Sequence, residues 1–93
     1  MLTHDAIVSA VRKAAGVFSM SKAAYFGSYA DGKATENSDL DLLVEFNESP
    51  VSVLKIIELK HFLEDELSKS VDVVHATLSP DSLVEIGKTV SVI

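Results

Sequence analysis

The sequence contains no cysteine, and only 2 of its 93 residues are proline and 4 are glycine. Without cysteine the chain can form neither a disulfide bond nor a thiolate metal site, which is typical of a reducing compartment. The low proline and glycine content, with 47% hydrophobic residues, excludes a disordered or low-complexity protein. A chain of this length has room for one modest core, so we expect a single domain over residues 1–93.

Long apolar runs are absent as well. No uninterrupted hydrophobic stretch reaches the roughly 18–20 residues that a helix needs to span a bilayer. Near the start of the chain, Asp5 comes early, and Arg12 and Lys13 lie inside an amphipathic pattern. A signal peptide has its basic residues first and an apolar run after them, so this order is wrong for one. We therefore expect a cytoplasmic protein that does not bind a membrane.

Basic residues are scarce. Eight Lys and Arg stand against 14 Asp and Glu, which gives a net charge of −6 and an isoelectric point near 4.8. Affinity for a nucleic-acid backbone comes mainly from Lys and Arg that displace counterions, so we expect no direct nucleic-acid binding. An acidic protein is suited to binding a divalent cation, or to a basic protein partner. Composition leaves both open.

Hydrophobic periodicity divides the chain into alternating helices and strands. In chain order we predict a helix over 4–18, a strand over 22–27, a short helical turn from 28, a strand over 39–46, a helix over 52–68, a strand over 71–75, a loop with a short helix over 78–88 and a last short strand over 89–93. The long helix should bury the stripe Val53, Ile56, Leu59, Leu63 and Leu67 against the sheet.

The lengths of the connections predict how the strands pair. The strand over 39–46, the helix after it and the strand over 71–75 have the length of a right-handed parallel crossover. These two strands should therefore be parallel, and neighbours in the sheet. The turn between the first two strands is too short for a crossover, so that pair should be antiparallel. The expected fold class is α/β, a small mixed sheet covered by helices.

Three acidic residues occupy strand positions where an unpaired carboxylate is costly to bury. Asp39 and Asp41 are two apart, so their side chains share one face of a strand and lie about 7 Å apart at the backbone. Asp72 is the lone acid in the apolar run 71–74. The three would repel one another unless Mg²⁺ or Mn²⁺ neutralised them, so we predict a divalent metal site. The alternative is a solvated turn at Asp39 and an edge-strand charge at Asp41.

Gly27 and Ser28 follow the first strand and are candidates for phosphate binding. Glycine lets the backbone approach a ligand, and the next N–H groups, with the Ser28 hydroxyl, can form an anion-binding nest at the start of a short helical turn. Taken alone, the same pair could be an ordinary turn. Tyr29 and Lys33 follow in the chain and are either nucleotide contacts or half-exposed loop residues.

These motifs form one pattern: GS at 27–28, ten intervening residues, DLD at 39–41, an apolar run and VDVV at 71–74. In this pattern the chain resembles the minimal nucleotidyltransferases (MNT), small members of the DNA polymerase beta-like superfamily. The resemblance covers about residues 20 to 90. It implies a nucleotidyltransferase fold in the order α-β-(short α)-β-α-β-α.

The resemblance also implies a reaction and a role for each matching residue. Asp39 and Asp41 would bind two Mg²⁺ ions, and Asp72 would share one of them and help to deprotonate an attacking hydroxyl. Gly27 and Ser28 would hold the β- and γ-phosphates of ATP. Attack on the α-phosphorus would expel pyrophosphate and leave an adenylylated acceptor.

Relatives of this size are often encoded beside an all-helical HEPN protein, a ribonuclease toxin, and act as its antitoxin. The resemblance therefore implies a protein adenylyltransferase whose partner is a cognate HEPN toxin. The alternative is a non-catalytic antitoxin that neutralises its toxin by contact. It is favoured by Asp31, which stands where many relatives have a basic residue, and by the shortness of the chain, which lacks the extra helical domain of larger relatives. The sequence leaves the oligomeric state open, a homo-oligomer included.

Overall fold

A computed structural model describes residues 2–47, 51–75 and 88–93 of the chain. In chain order its elements are α1 (His4–Phe18), β1 (Met20–Phe26), α2 (Ser28–Asp31), β2 (Leu40–Phe46), α3 (Val53–Leu67), β3 (Val71–His75) and β4 (Val90–Ser91). The predicted succession of helices and strands is confirmed as far as β3, and a last short strand is present. The short helix predicted after β3 lies outside the described residues.

The four strands of the described residues form one mixed sheet in the order β3-β2-β1-β4. β1 is antiparallel to both β2 and β4, whereas β2 and β3 are parallel, as predicted from the connections. Asp41 pairs with Phe26 on one side and with Asp72 on the other. Because paired residues of neighbouring strands point to the same face, these three side chains form a row across the sheet.

Both long helices begin at a capping side chain. The hydroxyls of Thr3 and Ser52 each accept a backbone N–H from the first turn of their helix, at 3.1 Å. At the other end, Ser19 and Ser68 have φ values of 56° and 51° and turn the chain out of α1 and α3. Within the described residues, neither of these helices nor α2 has the length and apolar character needed to cross a membrane.

The first strand begins earlier than predicted, at Met20 rather than at 22, and ends at Phe26. Ser19 is the reason, because its left-handed backbone ends α1 and leads directly into the strand. A bulge between Met20 and Lys22 then restores the register with β2. Ser19 adopts a conformation that glycine usually provides, so the sequence contained no obvious stop signal.

α1 and α3 cover the same face of the sheet and enclose the core. Leu40, Leu42 and Val44 of β2 are fully buried on that face. The helices and β3 contribute the fully or almost fully buried residues Ile7, Val11, Ala14, Leu59, Leu63 and Val71. Alternation along β2 and β3 therefore leaves Asp41 and Asp72 on the other face.

One residue of the predicted α3 stripe is wrong: Val53 is 72% exposed. A helix turns about 100° per residue, so two successive steps of three residues, from Leu59 back to Val53, rotate the side chain by about 120° away from the core. Ile56 and Leu67 are partly buried against the core, and Leu59 and Leu63 are completely buried. The core therefore begins one turn later along α3 than predicted.

Candidate active site

Asp41 and Asp72 lie side by side on neighbouring parallel strands. Such strands are about 4.8 Å apart, so paired side chains on one face are within reach of each other. Asp41 is half-buried in the middle of the row, and Asp72 is exposed on β3. The fold thus brings together two acids that are separated by a whole helix in the chain.

The electrostatics of Asp41 reflect this pairing. Burial raises the pKa of the Asp41 carboxyl above its usual 3.8, and the charge of Asp72, a side-chain hydrogen bond with Asp72 and the charge of Asp39 raise this pKa further. Two carboxylates this close repel each other, and a cation between them would relieve the repulsion.

Asp39 lies just before β2 and is exposed. The turn that precedes it is closed by hydrogen bonds between Thr35 and Ser38, of which the shortest joins Thr35 N to Ser38 Oγ at 2.9 Å. The Nζ of Lys69 donates to the backbone oxygen of Glu36 in this turn, at 2.6 Å. The Lys69 bond attaches the segment that carries Asp39 to the connection between α3 and β3.

Across the described ranges, no group of three or more His, Asp or Glu side chains is arranged to hold a metal ion. The three predicted ligands are instead a close pair, Asp41 and Asp72, and a third carboxylate, Asp39, whose charge acts on Asp41. Mg²⁺ is commonly bound by one or two protein carboxylates together with water and substrate phosphate. The crowded pair therefore fits such an ion, because a cation would offset both the burial of the Asp41 carboxylate and its repulsion by Asp72, which together raise the pKa of Asp41.

Gly27 lies directly against the Asp41 carboxylate. Its backbone has φ 69° and ψ −146°, a conformation available in practice only to glycine. A Cβ atom at this position would collide with Oδ2 of Asp41. The turn that leads into α2 therefore lies too close to the Asp41 carboxylate for any residue that has a Cβ atom.

α2 begins at this turn. The amides of Ala30 and Asp31 both donate to the Gly27 carbonyl at 3.0 Å. The amides of Ser28 and Tyr29 come before them and are not used by these bonds. The start of α2 therefore has two N–H groups outside these bonds, and Ser28 follows Gly27 in the chain, which are the groups that an anion-binding nest needs.

The other predicted contacts lie elsewhere. The hydroxyl of Tyr29 accepts from the backbone N–H of Leu2 at 3.3 Å, and its ring packs against the core. Lys33 is exposed after α2, as is Asp31 at the end of that helix. In the part of the chain that the structure describes, no hydrogen bond or ion pair joins Tyr29 or the side chain of Lys33 to the carboxylate pair. Their roles in binding a nucleotide stay predictions.

Sequence reasoning missed two residues next to the site. Glu64 Oε2 accepts the backbone N–H of Val71 at 3.0 Å, and Lys60 Nζ donates to the backbone oxygen of Val71 at 2.6 Å. Val71 directly precedes Asp72. The spacing of Lys60 and Glu64 along α3 suggests an ion pair within the helix, but only the fold shows that this pair contacts β3.

Comparison with known proteins agrees with this arrangement. The family described as nucleotidyltransferase domain matches residues 6–90. Protein adenylyltransferase MntA of Thermococcus cleftensis is 49% identical over 57 residues, which are 61% of this chain and 57% of that protein. The chain spans about half the length of the curated relatives it matches.

Solved structures share the fold over nearly the whole chain. A structure described as a minimal nucleotidyltransferase is 36% identical, with a TM-score of 0.70, and covers 88% of this chain and 84% of its own. A toxin–antitoxin with AMP-PNP has a TM-score of 0.76 at 21% identity, and the match covers 92% of this chain and 72% of that chain. A tri-AMPylated HEPN toxin of Shewanella oneidensis in complex with an MNT antitoxin has a TM-score of 0.70 at 17% identity. The match covers 98% of this chain and 72% of that chain. At these low identities the last two show a common fold.

Proposed function

The chain belongs to the nucleotidyltransferase domain family, and from this premise we propose that it transfers AMP from ATP to a hydroxyl of a partner protein. The proposal depends on one observation. The turn at Gly27, from which α2 begins, lies directly against Asp41, and Asp41 is paired with Asp72. Carboxylates and backbone N–H groups are the groups that metal-assisted phosphoryl transfer uses.

Asp41 and Asp72, with Asp39 nearby, would hold two Mg²⁺ ions, or Mn²⁺ in their place. When bound, the ions supply positive charge to the phosphate oxygens and to the attacking and leaving oxygens. Without a cation the same carboxylates repel one another and would also repel a triphosphate. The pair is therefore expected to bind ATP only together with a divalent ion.

The start of α2 would bind the phosphates that leave. The amides of Ser28 and Tyr29 and the Ser28 hydroxyl can donate to the β- and γ-phosphate oxygens, and Gly27 lets them lie beside Asp41. AMP-PNP, present in a toxin–antitoxin of the same fold, has a triphosphate like that of ATP. Asp31 and Lys33 are exposed at the far end of α2 and would contribute opposite charges there.

Asp72 would receive the proton of the attacking hydroxyl. It is exposed on an edge strand of the described sheet, where a group from another protein can reach it. The new bond joins the acceptor oxygen to the α-phosphorus, and the bond to the β-phosphate breaks, so that pyrophosphate leaves. Asp41, half-buried beside Gly27, would help to hold the ion that neutralises the α-phosphate between the attacking and the leaving oxygen.

The acceptor would be a HEPN toxin, which makes this protein an antitoxin in the cytoplasm. Two findings support a protein acceptor: the relative from Thermococcus cleftensis is a protein adenylyltransferase, and the fold recurs in an MNT antitoxin bound to an AMPylated HEPN toxin. A second candidate function is neutralisation by contact alone. It is favoured by the absence, among the described residues, of a preformed three-ligand metal site.

The test is transfer of label from ATP that is radioactive at the α-phosphate, with Mg²⁺ and a HEPN protein encoded beside this chain. We expect label on the HEPN protein and none when the label is on the γ-phosphate. Asp41→Asn should abolish transfer. Asp65→Asn, which makes the same charge change at an exposed position of α3, should not. If neither the wild type nor Asp41→Asn transfers AMP, and Asp41→Asn still neutralises the toxin, the contact mechanism is supported instead.

A further inference from the structure

Two side chains of α3 hold both backbone groups of one residue of β3. Glu64 accepts the N–H of Val71 and Lys60 donates to its carbonyl, and the two side chains form an ion pair at 3.0 Å. These contacts form a closed set of three bonds, which we call the Val71 brace. A brace of this kind restrains the position of the backbone and also its rotation.

The brace uses groups that the sheet leaves free. In a parallel pair, successive residues direct their backbone groups alternately toward and away from the neighbouring strand. Leu40 N donates to Ser70 O, and Leu40 is the register partner of Val71. The N–H and C=O of Val71 therefore point away from β2, toward an edge that no other strand of the described residues occupies. Lys60 and Glu64 satisfy them from the helix.

The same contacts control Asp72. The peptide group that joins Val71 to Asp72 is planar, so its carbonyl oxygen and the Asp72 N–H are fixed relative to each other. Lys60 binds the Val71 carbonyl oxygen on the side of this peptide group that faces away from β2. The backbone hydrogen bonds between β2 and β3 hold the other side. The direction of the Asp72 side chain follows from the orientation of this plane. Rotation of the edge strand would turn the carboxylate away from Asp41.

Stability alone is a weak explanation for the brace. The side chains of Lys60 and Glu64 are 38% and 27% exposed, and ion pairs at such sites contribute little to folding. Val71 is completely buried, so its side chain anchors β3 to the core independently of the brace. What the brace adds is a fixed orientation at the edge of the sheet.

We propose that Glu64 and Lys60 are positioning residues that hold Asp72 in the orientation needed to share a divalent cation with Asp41. The proposal rests on the proposed function, since it assigns the pair to the metal site of that reaction. Partners that orient metal ligands affect both affinity and rate, and their loss typically costs about 10- to 100-fold. Neither residue touches the reacting groups.

The experiment measures Mn²⁺ affinity by calorimetry, together with thermal unfolding and AMP transfer, in the full chain. Glu64→Ala removes the acceptor for the Val71 N–H, and Glu64→Gln keeps an oxygen there. Glu66→Ala is the matched control, because Glu66 is on the same helix and pairs with Lys13 instead. We expect Glu64→Ala to bind Mn²⁺ about tenfold more weakly, with transfer restored by excess Mn²⁺. Glu64→Gln should recover most of the affinity, and Glu66→Ala should match the wild type.

Lys60→Met is the second variant, and it replaces Glu64→Ala if that protein does not fold. It removes the bond to the Val71 carbonyl and should weaken Mn²⁺ binding in the same direction. A folded Glu64→Ala or Lys60→Met protein that melts earlier but binds Mn²⁺ like the wild type would overturn the proposal and leave the brace a structural feature. If the wild type itself neither binds Mn²⁺ nor transfers AMP, the proposed function fails, and this inference with it.

Discussion

Alanine at Gly27 should damage the site more than the fold. With φ 69° and ψ −146°, the backbone occupies a region that costs residues other than glycine roughly 1–3 kcal/mol. The new Cβ would also collide with Oδ2 of Asp41. A carboxylate is the end of a side chain that can rotate, so this collision is relieved by moving Asp41. We expect a loss of about 2 kcal/mol in the free energy of unfolding, and a displaced carboxylate.

Two other glycines separate these effects. Gly32 also has positive φ, 74°, but a Cβ there would have no atom within 4 Å. Gly32→Ala should therefore lose about 1–2 kcal/mol through the left-handed backbone alone, without disturbing Asp41. Gly16 lies exposed in α1 with the same open space around it, so Gly16→Ala should gain about 0.5–1 kcal/mol.

The assays are urea unfolding followed by circular dichroism, and Mn²⁺ titration of the folded proteins. Gly27→Ala should bind Mn²⁺ at least about tenfold more weakly than the wild type, the loss typical of a misplaced ligand environment. Gly32→Ala, of similar stability, should bind it normally. Equal Mn²⁺ affinity in these two variants would refute the argument that Gly27 is needed for the approach to Asp41.

Two further predictions concern α3. The N–H of Val71 lowers the pKa of Glu64 below its usual 4.5, so the ionised form stabilises the fold above pH 4.5 and this contribution is lost as the pH falls through the folded-state pKa. Between about pH 7 and pH 3, urea midpoints should fall less in Glu64→Gln than in Glu66→Gln, and equal falls would contradict this sign. Leu59 is completely buried and Leu54 is 64% exposed, so Leu59→Ala should cost about 2–5 kcal/mol and Leu54→Ala less than about 0.5 in the same assay. Similar losses of unfolding free energy in Leu59→Ala and Leu54→Ala would mean that α3 packs on the core through another face.

Sequence patterns predicted the sheet well because strand pairing depends on connection length and on alternation. The crossover through α3 requires β2 and β3 to be parallel, and the buried residues of both strands then determine which face Asp41 and Asp72 share. Helix phase was less certain. Val53 fits a stripe drawn in steps of three and four, yet it is exposed, because the two successive steps of three before Leu59 are not balanced by a step of four.

The environment of the site could not be predicted in the same way. No pattern in the sequence shows that Gly27 contacts Asp41, or that Lys60 and Glu64 reach β3, since these contacts depend on how separate elements pack. The three acids illustrate the limit. Their spacing predicted a common site, but whether they form a pair or a triad depends on where β2 begins, and Asp39 lies just before it.

Core packing, rather than a bound cation, explains why the two acids meet. Because side chains alternate along a strand, a slip of one residue in β3 would turn Asp72 into the core and expose Val71. Val71 is completely buried, and burying an unpaired carboxylate in its place would cost several kcal/mol. Burial and, after it, the charge of Asp72 raise the pKa of Asp41, and the hydrophobic core on the opposite face is what keeps the two carboxylates in these positions. The two carboxylates are thus held together without a cation, so relief of their repulsion would favour the binding of the divalent ion proposed above.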